Sequence, residues 1–129
     1  MKKIIAVCAL VALGGCMSSK GIPPSTPVFF KPQSAVLDQN ALTTIAAVAK
    51  AANTKPDVPV FVVGTSEHKG DTALSNALSE RRAQAVAAQL ETDGVEKTRL
   101  RIYGAGAVDA PKGLNASQGA RRVLISIGD

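Results

Sequence analysis

Aromatic side chains are nearly missing from this chain, whose 129 residues include no tryptophan, one tyrosine and three phenylalanines. Single-stranded nucleic acids are held by stacking bases on aromatic rings along a basic groove. With no such platform, and with its lysines and arginines dispersed, the chain's net charge of +5 does not point to nucleic acid. Histidine occurs once, at His68, and cysteine twice, at Cys8 and Cys16. One imidazole cannot assemble a multi-histidine metal site, and no thiol is placed to pair with it as a nucleophile. No serine stands in a pattern that would bring it a base and an oxyanion hole. The expectation is a protein with no enzymatic activity, no metal and no cofactor, in which His68 is an exposed loop residue. Long hydrophobic runs are also lacking: residues 4–12 supply about half of the ~20 apolar residues that a spanning helix needs.

What the start of the chain does contain is an ordered set of export signals. Met1-Lys2-Lys3 is basic, residues 4–12 are apolar, and the run closes on Leu13-Gly14-Gly15-Cys16. That tetrad resembles the lipobox of bacterial lipoproteins, which implies cleavage before Cys16 and attachment of lipid to its thiol. Met17, where an aspartate would signal otherwise, resembles the outer-membrane sorting pattern of many Gram-negative lipoproteins. Cys8 would leave with the signal peptide, so no disulfide can form. Apart from Met17 and Ile22, residues 17–27 are serine, lysine, glycine, threonine and proline with little to bury. They read as a tether that, at ~3.3 Å per residue, keeps the domain within ~36 Å of the lipid. The chain thus divides into a signal peptide (1–15), a lipidated cysteine with its tether (16–27) and one domain (28–129).

Within that domain, Val28-Phe29-Phe30 is a short strand candidate closed by Lys31-Pro32. Asp38 suits a helix N-cap, and Leu42, Ile45, Ala46, Ala49 and Ala52 recur at three- and four-residue intervals, which predicts a core-facing helical stripe. Residues 58–63 read as a second strand. Leu74, Leu78, Ala85, Val86 and Leu90 then fall at helical spacing, with Asp71 as a cap and Asp93-Gly94 as the stop. In the third strand Leu100 and Ile102 alternate with Arg99, Arg101 and Tyr103, predicting one covered and one wetter face. Leu78, Val86 and Leu90 are expected to pack against Val62 and Ile102. Gly104-Ala105-Gly106-Ala107 reads as a turn, residues 108–119 as irregular, and residues 121–127 as the closing strand. The order β-α-β-α-β-β predicts an α+β sandwich with two main helices on one face of a small mixed sheet.

Site-like chemistry gathers at one corner, where Glu67, His68, Lys69 and Asp71 precede Arg81 and Arg82 on the second helix. The loop Gly64-Thr65-Ser66-Glu67-His68-Lys69-Gly70, followed by Leu78-Ser79-Glu80-Arg81-Arg82-Ala83, resembles the peptidoglycan-binding domain of OmpA-like proteins and peptidoglycan-associated lipoproteins. The likeness runs from residue 28 to residue 127. In that family the loop usually reads Gly-His-Thr-Asp, with an Asn eight residues after the Asp and an Arg fifteen after it. Laid on this chain, the pattern places Glu67 at the Asp, Ser75 at the Asn and Arg82 at the Arg. Thr65 stands at the usual His, Ala107 at a Glu and Ala120 at an Asn.

The resemblance implies an OmpA-like fold and a site made of Glu67, Arg82, Ser75 and Thr65 for the diaminopimelate unit of the peptidoglycan stem peptide. The ligand's ammonium would meet Glu67 and its carboxylate the planar fork of Arg82. Arg81 is read as the solvated neighbour of Arg82. On this reading the protein is an outer-membrane lipoprotein, its domain in the periplasm, that links membrane to cell wall. A second reading is an accessory lipoprotein of a secretion or conjugation assembly that has lost the ligand site. The four departures at Glu67, Ser75, Ala107 and Ala120 favour the second; Arg82 and the tethered layout favour the first.

Overall fold

Valines at alternate positions decide where sheet and helices meet. In strand β2 (Val60–Ser66), Val60 and Val62 are fully buried. They share a face with Val28 of β1 (Ser25–Phe29), Leu100 of β3 (Leu100–Ala107) and Val123 and Ile125 of β4 (Arg122–Ile127). Helices α1 (Gln39–Asn53) and α2 (Thr72–Thr92) close over that face, so that Ile45, Val48, Val86 and Leu90 join the same core. These elements come from a computed structural model that describes residues 25–67, 72–108 and 119–128. The strand order is β1-β4-β2-β3, with β4 antiparallel to both its neighbours and β2 parallel to β3. This is the α+β sandwich that the sequence predicts, two helices on a mixed four-stranded sheet.

Local chemistry sets the helix ends. The Asp38 carboxylate accepts a hydrogen bond from the Ala41 backbone N–H at 2.8 Å, satisfying one of the donors left open at the start of α1. At the end of α2, Gly94 takes φ +104°, a conformation costly for residues with a Cβ. The N–H groups of Gly94 and Val95 then return to the carbonyls of Glu91 and Leu90, while Val95 is buried beside Leu90. Gly64 serves a different end. A Cβ there would overlap the Ser79 carbonyl, so the missing side chain is what lets α2 lie directly on β2.

Several expectations need correction. β1 starts at Ser25 rather than Val28, which places Pro27 inside an edge strand where a missing N–H is tolerated. The buried stripe of α1 is Ala41, Ile45, Val48, Ala49 and Ala52; Leu42 is only partly covered and Ala46 is exposed. Alanines carry little information about facing, so Val48 settles the rotation. Ile102 is 43 % exposed, because β3 is an edge strand and the α2 residues beside Ile102 are the exposed Glu80 and Gln84. Residues 104–107 continue β3 instead of turning. Arg99 is buried rather than on a wetter face. Cys8, Cys16, most of the tether, His68, Lys69 and Asp71 lie outside the described residues, as does most of the segment expected to be irregular.

Candidate functional site

The carboxyl end of β2, the first three turns of α2 and the loop after β1 meet at one corner. Between them is a cleft of about 220 Å³ lined by Gln33, Ser66, Glu67, Leu74, Ser75, Leu78 and Arg81. Drug-sized ligands occupy about 300–1,000 Å³, so this cleft fits a group the size of one amino acid.

The four expected ligand residues divide into two pairs. Glu67 and Ser75 line the cleft. Thr65 and Arg82 lie behind its wall. The Thr65 hydroxyl is buried between the carbonyls of Ala120 (2.7 Å) and Arg122 (3.0 Å), tying the end of β2 to the start of β4. Arg82 is 0 % exposed. Its Nε donates to the Ser34 carbonyl at 2.8 Å, and its two terminal nitrogens donate to the carbonyls of Thr65 and Lys31, each at 3.1 Å. Its guanidinium carbon also sits 5.4 Å from the centre of the Phe30 ring. Five N–H donors in a rigid fork suit an arginine to collecting carbonyls from separate segments. Here they join the loop after β1 to the end of β2.

Among the described residues the corner holds more positive than negative charge. Burial, and then the neighbouring Arg121 guanidinium, push the Arg82 pKa down to about 10, while Glu67 pulls it back up. Arg82 therefore remains protonated at neutral pH. Arg121 reaches Glu67 at 3.5 Å, with both side chains largely buried. Arg121 also donates from Nε to the Phe30 carbonyl at 3.0 Å. Ser75 is held from below, its carbonyl accepting the Ser66 hydroxyl at 3.0 Å.

Sequence reasoning missed three contributors. Gln33 lines the cleft from the turn Lys31-Pro32-Gln33-Ser34, closed by a Ser34 N–H to Lys31 carbonyl bond of 3.2 Å. Proline at the second position of that turn and φ +56° at Gln33 are the signature of type II, which a search for Pro-x turns would have found. Leu74 and Arg81 were placed on the apolar face and in solvent respectively. Leu74, Leu78 and Arg81 in fact fall at i, i+4 and i+7, one stripe of α2 that faces the cleft. Leu74 at its rim is 67 % exposed. Among the described residues no group of three metal-ligating side chains occurs, and no helix is long and apolar enough to cross a membrane.

The probable lipoprotein YiaD of Escherichia coli is 32 % identical over 103 residues, which cover 78 % of this chain and 47 % of that protein. This chain thus spans about half the length of that relative. A peptidoglycan-associated lipoprotein of Mesorhizobium japonicum is 28 % identical over 127 residues, covering 80 % of this chain and 76 % of its own. The crystal structure of the peptidoglycan-associated lipoprotein from Burkholderia pseudomallei superposes with a TM-score of 0.71 at 19 % identity, over 78 % of this chain and 87 % of that one. It shares the fold. The model of the OmpA family matches residues 29–123, from the end of β1 into β4 and across the whole cleft, and the chain belongs to that family.

Proposed function

We propose that this protein is an outer-membrane lipoprotein whose OmpA domain binds peptidoglycan non-covalently and so links the membrane to the cell wall. One observation carries the reading: an amino-acid-sized cleft with a carboxylate on its wall and arginines around it, at the corner where the family motif falls. Such a cleft suits a zwitterion, the ammonium meeting Glu67 and the carboxylate meeting guanidinium charge. Diaminopimelate in a stem peptide presents those two charges at the end of an aliphatic chain. The names of the relatives, lipoproteins and a peptidoglycan-associated lipoprotein among them, support the same envelope setting. Weak binding of single stem peptides is sufficient, because the wall offers many copies to a protein held near it.

Anchoring rests on Cys16. A Cys16→Ser variant is expected to leave the membrane fraction, and a variant that fractionates as the parent does overturns the anchoring. Binding is tested by sedimenting the full-length protein, extracted in detergent, with purified sacculi. Co-sedimentation is expected. The full burial of Arg82 favours the second reading, an accessory subunit of an envelope assembly with no ligand site. A folded protein that stays in the supernatant decides for that alternative.

A further inference from the structure

We propose that the open face of the sheet rests on the anionic phospholipid surface that holds the protein's own anchor; this goes beyond wall binding and rests on the lipidation of Cys16 proposed above. Both helices cover one face of the sheet, that of Val60, Val62, Val123 and Ile125. Side chains alternate along a strand, so Phe61, Val63, Tyr103 and Leu124 point the other way. Strand register joins them across the molecule: Pro27 pairs with Leu124, Leu124 with Val63, and Val63 with Tyr103. At ~4.8 Å between strands this apolar row runs for ~14 Å through all four strands, and no described helix packs on it. Tyr103, at its end, is 53 % exposed.

Charge decides what covers the row. On one side the next row is Ser25, Ser126, Phe61 and Arg101, and on the other Phe29 pairs with Arg122. Each flank thus has one arginine, neither of which forms an ion pair with a described residue, and none of the three rows contains an acid. Apolar side chains between cations, with a tyrosine at the rim, suit a phospholipid headgroup layer, where rings and aliphatic groups reach toward the acyl chains and guanidinium groups meet phosphate. A second copy of the same face would instead gather four arginines and no acid in one interface. The tether points the same way. It enters the sheet at Ser25, in the row of Arg101, and the eight residues between Cys16 and Ser25 keep the two within ~30 Å. A lipidated Cys16 therefore holds this face close to the headgroups, and weak contact is enough. The face alone does not retain the protein, in keeping with the loss of Cys16→Ser from the membrane fraction expected above.

The chain supplies its own reporter. Tyr103 is its one tyrosine and it has no tryptophan, so intrinsic fluorescence reads this face alone. Full-length lipidated protein is inserted from detergent into preformed vesicles of phosphatidylglycerol or of phosphatidylcholine, recovered by flotation and quenched with aqueous acrylamide. Quenching is expected to be roughly twofold or more weaker on phosphatidylglycerol, a difference that high salt removes. Arg101→Gln, at an exposed position, should weaken docking about fivefold and bring quenching close to the phosphatidylcholine level. Lys50→Gln makes the same charge change at an exposed position of α1, in the helical layer, and should behave as the parent does. Equal quenching of the parent on both lipids, or an equal effect of the two variants, overturns the docking. Protection on both lipids that fades as the protein is diluted in the membrane identifies a second copy as the cover, and also overturns it. Protein that floats with neither vesicle has no anchor, which overturns the anchoring beneath this proposal and is told apart from the other outcomes by flotation alone.

Discussion

Two arginines anchor opposite ends of this domain by the same device. Arg82 collects the carbonyls of Lys31, Ser34 and Thr65. Arg99 collects those of Ala52, Lys55 and Val58, at 2.8 to 2.9 Å, with the Asn53 side chain at 3.2 Å. At the Arg99 end, the carbonyls of Ala52 and Lys55 come from the last turn of α1 and just beyond it, where the helix dipole favours a cation, so the clasp completes a helix terminus. At the Arg82 end the carbonyls come from a loop and a strand, a second arginine presses in, and Glu67 stands within electrostatic reach. The same side chain therefore closes a helix in one place and builds a cleft wall in the other. What separates them is the company each keeps.

The sharpest way to break this comparison is to remove Arg82. Arg82→Ala takes a donor from three carbonyls, of which that of Lys31 keeps the Ser34 N–H, leaves a void under Phe30, and is expected to cost about 3 to 5 kcal/mol in urea unfolding. Sacculus binding should fall with it, because the turn bearing Gln33 is no longer held. Arg99→Ala is expected to cost less, about 2 to 3 kcal/mol, since water can reach part of the exposed helix end. Its folded fraction should bind sacculi as the parent does. If Arg99→Ala abolishes binding while remaining folded, the two ends are not separable as described.

Gly64→Ala sharpens the contrast from the packing side. A Cβ against the Ser79 carbonyl must lift α2 from β2 close to the cleft, at a cost of about 1 to 3 kcal/mol. The expected signature is a lower urea midpoint together with weaker binding. Asp38→Ala is the mildest test, about 1 kcal/mol for a lost N-cap at the opposite terminus of α1 from Arg99. Thermal melts should detect it, and binding should not change.

The two arginines also show what the sequence made legible. Hydrophobic spacing carried the two helices, the strands and the layer order, because burial of Val60, Val62, Val86 and Leu90 repeats at periods that only those elements produce. The corner was legible as a place, through the motif between Gly64 and Ala83. Its division of labour was not. A buried arginine and a solvated one have the same letter, and whether carbonyls converge on the side chain depends on segments 41 to 51 residues away in sequence. Arg82 meets Lys31 and Ser34, and Arg99 meets residues 52–58, through contacts that no local window contains. Ile102 failed for a related reason. Alternation marks its face, but only strand order tells that the strand lies at the sheet edge.

The pairing of β1 with β4 has a mechanical consequence. Ser25 pairs with Ser126 at one end of the sheet, while Phe29 pairs with Arg122 at the end where the cleft opens. If the protein is anchored through Cys16 and grips the wall at Glu67, as proposed, it is pulled from those two ends. Such a load runs along the strands and stretches the β1–β4 ladder in shear, all its hydrogen bonds at once, instead of unzipping them one by one. The Phe30 N–H to Arg121 carbonyl bond at 2.8 Å and the returning Arg121 to Phe30 bond extend that ladder up to the cleft. Resistance to forced unfolding is set by the unfolding rate rather than by equilibrium stability. On the proposed function, a small domain of modest core would hold a taut envelope link through the direction in which its first strand is loaded.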